Sequence, residues 1–204
     1  MKTNSVTNEY QVKHICFKNG PPLRLYPILD STNLEAERYA KKKNKNDLEE
    51  LNEGLVFVAD EQTNGQGSFY KHWQSKKGGL YYSLLINCSK GDINASQKYA
   101  RGVGNIARSV ISKCSKKDVE LELPNDLIIG YKKVGGILLK SMVVHGYPLF
   151  IVGIGININQ ASFDDEIKHS ATSLRLVCKQ PLEKSVYIKK LTEKLVYAFK
   201  NDSW

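Results

Sequence analysis

Cysteine is sparse in this chain and never grouped. Cys16, Cys88, Cys114 and Cys178 are the four in 204 residues, and no two form a C-x-x-C pair. That excludes a zinc knuckle and a dithiol redox motif, and it suits free thiols in a reducing compartment. His14, His72, His145 and His169 are equally scattered, none at metal-ligand spacing from another, so no structural metal is expected. Long apolar runs are missing as well. No stretch approaches the roughly 20 residues that a membrane helix needs, and Met1 to Ser5 lacks the apolar core of a signal peptide. The expectation is a cytoplasmic protein with no membrane partner. Internal repeats and low-complexity tracts are also absent.

What is present is a globular composition, 41% hydrophobic and 25% charged, sufficient for one compact domain over residues 1–204. The charge balance is less ordinary: 30 basic against 21 acidic residues give a net +9 and a pI near 9.3. Such a surplus attracts something anionic, whether nucleotide, nucleic acid or acidic protein. Much of it is lysine in short runs, such as Lys41-Lys42-Lys43 and Lys116-Lys117, and such runs are ordinarily just solvated surface.

Periodicity divides the chain into alternating elements. Pro22 to Ile28 reads as a strand, and Asp30-Ser31-Thr32-Asn33 marks the change to a helix from Leu34, with Thr32 and Glu35 spaced as a capping box. Lys41 to Glu53, rich in Lys, Asn, Asp and Glu, reads as a mobile excursion before a strand at Leu55 to Ala59. Asp60 to Lys77 is a polar, glycine-containing loop, and loops of that length inside compact domains are usually functional. Leu80 to Ile86 is a strand, and Tyr99, Val103, Ile106, Ala107, Val110 and Ile111 recur at helical spacing. Strands at Val119 to Leu123, Leu127 to Ile129, Val134 to Val144 and Leu149 to Ile156 are separated by turn residues and read as hairpins. An amphipathic helix with Ile188, Leu191, Leu195 and Ala198 on one face begins after Pro181. The fold class is α+β, a mixed and largely antiparallel sheet packed with helices.

Four clusters carry chemistry. Asp30-Ser31-Thr32-Asn33 places hydroxyls at a helix start, where they cap the helix or bind a polar ligand at its positive end. Gln62-Thr63-Asn64-Gly65-Gln66-Gly67, with Trp73 later in the same loop, lets backbone N–H groups approach an anion or carbonyl. Pro124-Asn125-Asp126-Leu127 with Lys133-Val134-Gly135-Gly136-Ile137-Leu138 offers an amide, a carboxylate and a lysine beside two strand glycines, which mark either a plain bulge or the close approach of a backbone or ligand. Gly153-Ile154-Gly155-Ile156-Asn157 repeats glycine in an apolar strand that ends on an amide.

Taken in order, these clusters resemble the catalytic domain of the biotin protein ligase family from about Leu25 to Leu174. They match its D-S-T-N, Q-x-x-G-x-G, P-N-D-L, K-[LV]-[AG]-G-I-L and G-x-G-x-N patterns. Trp73 with Gly78, Leu80, Tyr81 and Ser83 also fits, as does Ala171-Thr172-Ser173-Leu174. The resemblance implies the biotin–lipoate ligase fold, related to class II aminoacyl-tRNA synthetases. It implies a carbon–nitrogen ligase that makes biotinyl-AMP from biotin and ATP with Mg2+, then passes biotin to a lysine of the carrier domain of a biotin-dependent carboxylase. By matched position, Lys133 bridges the biotin carboxylate and the α-phosphate, with Asp126 as the second catalytic residue. Asp126 meets either the incoming lysine ammonium or the metal-bound phosphates. Ser31, Thr32, Asn33, Gln62, Gly65, Gln66, Gly67, Ser68, Gly136 and Gly155 surround biotin. Trp73, Lys71, Asn125 and Asn157 take the nucleotide, Trp73 covering the adenine. No protein side chain is singled out as a metal ligand. Family members often pair through an exposed sheet edge, so the resemblance leaves a homodimer open for this chain.

The match breaks in three places. The family loop runs G-R-G-R, whereas this chain reads Gly65-Gln66-Gly67-Ser68-Phe69-Tyr70-Lys71, so two phosphate-pairing guanidiniums are missing, and Lys71, Lys76 or Lys77 supplies charge without their bidentate fork. Glu122-Leu123 stands where many members have Lys-Trp, setting an acid near a polyphosphate site. The segment before Asp30 is too short for a DNA-binding helix-turn-helix, and the chain stops soon after its last helix, so neither that domain nor a C-terminal β-barrel is expected, and DNA is not an expected partner. Two readings stay open beside ligation of biotin: a lipoate or octanoate ligase or transferase of the same fold, although its R-R-x-G-G-G-type loop is not found, and a biotin-binding relic without turnover. A basic nucleic-acid-binding module rests on charge alone, with no recognition motif.

Overall fold

The computed structural model describes residues 13–16, 20–68, 71–87 and 96–204. Phe69, Tyr70 and Cys88 lie outside the described residues. A single eight-stranded sheet runs in the order β1-β2-β3-β4-β8-β7-β6-β5. Its strands are β1 (Lys13–Cys16), β2 (Pro22–Leu29), β3 (Leu55–Gln62), β4 (Leu80–Asn87), β5 (Glu120–Glu122), β6 (Asp126–Ile129), β7 (Lys132–Val144) and β8 (Tyr147–Ile156). Every neighbouring pair is antiparallel except β2 with β3. That parallel pair needs a crossover, and α1 (Thr32–Lys41), α2 (Lys45–Glu49) and a 3-10 turn (Glu50–Asn52) provide it. α3 (Ser96–Ser115) connects β4 to β5, and α4 (Leu174–Cys178) and α5 (Lys184–Asn201) follow β8. The mixed, mainly antiparallel sheet and the three hairpins β5–β6, β6–β7 and β7–β8 are as the turn residues led one to expect.

Alternation along the strands builds two cores, one on each face of the sheet. Val56 and Val58 of β3 join Val152, Ile154 and Ile156 of β8 beneath α3 and α5. Leu55, Phe57 and Ala59 point the other way, with Leu149 and Ile151, beneath α1 and α2. β4 is buried along its whole length because it lies in the middle of the sheet with helices on both sides. In α3 the periodic residues Tyr99, Val103, Ala107, Val110 and Ile111 are the ones buried. The helical spacing alone marked this face.

The residues from Lys41 to Glu53 depart from expectation. They form α2 and the 3-10 turn rather than a mobile excursion, because Leu48 and Leu51 insert into the α1-side core. Two apolar residues among eleven charged or amide neighbours are a faint pattern, yet Leu48 is completely buried. Neither β1 nor α4 was foreseen. Both are very short, and α4 depends on Ser173, whose hydroxyl accepts from Leu176 N at its start.

Leu48→Ala is expected to destabilise the protein by about 2–5 kcal/mol in denaturant unfolding, the cost of a cavity at a fully buried leucine. A change near zero would mean that the segment hangs free.

Candidate functional site

The start of α1 is held from outside the helix. Ser31, Thr32 and Asn33 are all buried. Ser31 stands at the N-cap position but caps nothing, leaving its hydroxyl on the wall of the cavity described below. The capping box does not form: Thr32 N and Thr32 Oγ1 both donate to Gln62 Oε1, at 2.8 and 3.2 Å, and the Glu35 carboxylate accepts from Arg38 instead. The physical reason is burial against β3 and β4, whose Gln62 and Ser83 supply the partners that a local cap would otherwise provide. Ser83 Oγ lies 2.8 Å from Thr32 Oγ1 and 2.5 Å from Asn33 Oδ1. Asp30 secures the preceding turn, accepting from Ser31 N and taking the Arg38 guanidinium in a two-pronged pair at 2.7 Å. That guanidinium, above all else, holds the Asp30 carboxyl below the usual carboxylate range.

The glycine-containing loop folds back on itself as a strap. Gly65 O accepts from Trp73 N at 2.9 Å, Gly67 N donates to Lys71 O at 2.8 Å, and Gln62 Nε2 donates to Ser75 Oγ, which donates to Trp73 O. A side chain at Gly65 would place its first carbon 2.3 Å from Ser75 Oγ. This glycine is therefore demanded by the strap's own closure. Trp73 turns inward, its indole against Gly136 and Gly155: a Cβ on Gly155 would sit 2.8 Å from the ring nitrogen, and one on Gly136 3.1 Å from the ring edge. The indole N–H is buried without a partner among the described residues.

The β6–β7 hairpin brings the charges. Lys133 Nζ pairs with Asp126 Oδ1 at 2.7 Å and lies 5.3 Å from the Trp73 ring centre. Asn125 Nδ2 donates to Ser68 Oγ at 2.8 Å and to Ile137 O at 3.1 Å. The backbone of Lys133 is fixed by the Ala171-Thr172-Ser173-Leu174 segment: its N–H donates to Ser170 O, and its carbonyl accepts from Thr172 N. Both readings of the strand glycines hold. The register shifts at Leu127/Ile128, and a Cβ on Gly135 would meet Gly155 O at 2.8 Å.

These parts enclose one cavity of about 290 Å³. Ser31, Thr32, Asn33 and Gln62 form one wall, Gln66, Gly67, Ser68 and Lys71 come from the strap, and Asn125, Asp126, Lys133, Gly136, Gly155 and Trp73 complete it. Sequence reasoning thus found most of the lining. Two of the residues it named do not line this cavity: Gly65, which sits within the strap, and Asn157, which is buried with its Oδ1 accepting from Gln160 Nε2 at 3.0 Å. Of the three lysines that could stand in for the missing arginines, Lys71 alone reaches the wall, while Lys76 pairs with Asp164. Glu122 is exposed and does not line the cavity, so the feared acid stays clear of it. Unforeseen were His72 and Tyr82, and, behind the wall, Lys140, which donates to Gln66 Oε1 at 2.8 Å. The alternation of Gly136, Leu138 and Lys140 along β7 was the signal that could have found the last.

Fold and site together define a class: an α+β domain whose mixed sheet opens a cavity of mixed polar and apolar lining with one lysine–aspartate pair at its wall. The chain belongs to the biotin/lipoate A/B protein ligase family, whose model matches residues 27–159. It is 30% identical over 170 residues to the bifunctional ligase/repressor BirA of Bacillus subtilis (strain 168), covering 81% of this chain and 50% of that protein. It is 33% identical over 115 residues to biotin--protein ligase 2 of Arabidopsis thaliana, covering 54% of this chain and 35% of that one. Among solved structures it is similar to biotin protein ligase from Aquifex aeolicus in complex with biotin and ATP, with 29% identity and a TM-score of 0.71 over 92% of this chain and 74% of that chain. The chain spans half or less of the length of the two curated relatives.

Two outcomes test this geometry. Gly153→Ala would set a methyl 2.3 Å from Asn33 Oδ1 and is expected to cost about 1–3 kcal/mol in unfolding experiments, with the start of α1 displaced. Ionised Asp30 stabilises the fold, and because its carboxyl titrates below the usual value, that contribution is lost as pH falls below roughly 4. Arg38→Met is expected to flatten this acid limb of the stability–pH curve, and an unchanged limb would show the pair to be inert.

Proposed function

We propose that the protein is an ATP-dependent biotin protein ligase. The carboxylate of biotin attacks the α-phosphorus of ATP, pyrophosphate leaves, and biotinyl-AMP remains in the cavity. The amine of a lysine on a biotin carrier domain then attacks the acyl carbon, forming the amide and releasing AMP. The enzyme supplies no nucleophile, so its work is alignment and charge stabilisation. The observation that carries the reading is the convergence in one cavity of a cation, Lys133, with a hydrogen-bonding wall of Ser31, Thr32 and Gln62. The wall suits the ureido ring of biotin, and Lys133 offsets the repulsion between its carboxylate and a phosphate.

The remaining residues have supporting parts. Asp126 holds Lys133 at 2.7 Å and, once that lysine turns to the two anions, offers its carboxylate to the carrier's lysine ammonium. Asn125 and Ser68, already hydrogen-bonded to each other, face the nucleotide. Trp73 lies where the ligand must pass and shifts from Gly136 and Gly155 to cover it. Magnesium is implied by the nucleotide chemistry and comes with the triphosphate, and no step here is assigned to it.

The deciding assay is pyrophosphate release from Mg-ATP with biotin, lipoate or octanoate. Release is expected with biotin alone. Release with lipoate or octanoate instead would move the protein to the sister activity, and tight biotin binding without release would make it a relic. Lys133→Ala is expected to lower biotin-dependent release at least about 100-fold with the fold intact. Gln66→Arg with Ser68→Arg should slow escape of the adenylate, read by dilution after a single turnover.

A further inference from the structure

Charge is divided unevenly between the two faces of this molecule. α3 contains Lys98, Arg101, Arg108 and Lys113 and no acidic residue. α5 contains five lysines and one acid, Glu193. The two helices therefore hold nine of the chain's 30 basic residues and one of its 21 acidic ones, leaving a net charge of only +1 on the other 166 residues. The surplus read from composition belongs almost wholly to one layer.

That layer is continuous and faces away from the cavity. α3 and α5 pack side by side over the core on the sheet face opposite α1. The start of α3 meets the end of α5: Tyr99 stacks on Phe199 with ring centres 5.9 Å apart, and Lys98 pairs with Asp202 at 2.9 Å. Both helices spend their apolar sides on the core, which leaves the charged sides outward. Arg101, Arg108 and Lys113 on α3 and Lys190 and Lys194 on α5 are exposed and have no ion-pair partner among the described residues. At 1.5 Å per residue the cations run for about 22 Å along α3 and about 24 Å along α5.

We propose that the α3–α5 surface binds duplex nucleic acid through its phosphate backbone, without reading base sequence. The chemistry of the surface separates this partner from others. A stable protein interface carries an apolar centre, but the outward side of α3 is Gln97, Lys98, Arg101, Asn105 and Arg108. The exposed apolar residues of α5, Val186 and Tyr197, stand some 16 Å apart along the helix and form no patch. A helix lying in a membrane surface needs an apolar face to insert, and here both such faces are buried. A phosphate backbone asks only for repeated cationic donors over tens of ångströms. No base-reading motif accompanies them, which fits backbone contact alone. The expectation of no DNA partner rested on the missing helix-turn-helix and recognition motif, and a surface that contacts only the phosphate backbone needs neither.

The test is fluorescence anisotropy of the whole chain with DNA and RNA duplexes of unrelated sequence, roughly 20 base pairs long, over a range of salt. Both duplexes are expected to bind at low salt, with log affinity falling linearly in log salt. Arg101→Glu with Arg108→Glu should weaken binding at least about tenfold and reduce the salt slope by about two. Lys42→Glu with Lys45→Glu, an equal change of net charge on exposed residues of the α1–α2 side, should alter affinity less than about twofold. Pyrophosphate release and the thermal midpoint, measured in both variants, report whether each is folded. Equal loss in both pairs would reduce the effect to bulk charge and overturn the proposal. So would an absence of duplex binding, or capture by phosphatidylserine vesicles in place of duplexes.

Discussion

Three glycines on two neighbouring strands, Gly136 of β7 and Gly153 and Gly155 of β8, set the depth at which everything else in the cavity can lie, while Gly135 on the other face of β7 packs closely against β8. A side chain at any of the four would crowd a neighbour: Gly135 the backbone of Gly155, Gly153 Asn33, and Gly136 and Gly155 both Trp73. Strand glycine is poor for sheet stability, and here the central strands of the sheet bear that cost. In return the sheet approaches α1 and the strap closely enough for one lysine to share a cavity with the start of a helix far away in sequence.

Around that floor runs a chain of buried polar groups. Ser83, Asn33 and Thr32 meet, Thr32 meets Gln62, Gln62 meets Ser75, and Ser75 meets the carbonyl of Trp73. Buried polar groups are costly when unpaired and rigid when paired, so the network fixes the distance between α1 and the strap without apolar packing. Of the five buried side-chain atoms without partners among the described residues, two, Asn33 Nδ2 and the Trp73 indole nitrogen, lie on the glycine floor itself. This is where a ligand would offer what the protein does not.

The loss of the loop arginines looks different once the fold is known. Ser68 is taken by Asn125 and Gln66 by Lys140, so these positions are engaged by the sheet and not left idle. A cation still stands beside the strap, contributed by β7. The molecule's main positive charge lies on the far side of the sheet, which separates the chemistry of the cavity from any attraction of polyanions to the helix layer.

Much of this was legible in the residues themselves. The strands and the two long helices follow from alternation and helical spacing, since a half-buried element must show its period. The motif clusters named most of the cavity wall, because close approach and hydrogen bonding restrict residue type locally. What the sequence could not determine depended on distance through space. Thr32 reads as a helix cap until Gln62 and Ser83 are seen beside it, and Lys41 to Glu53 reads as loose until Leu48 finds a pocket in another layer. The total charge was plain from composition, but its confinement to two adjacent helices was not. Residue type states what a side chain can do, while the partners that decide what it does are brought together only by the tertiary fold.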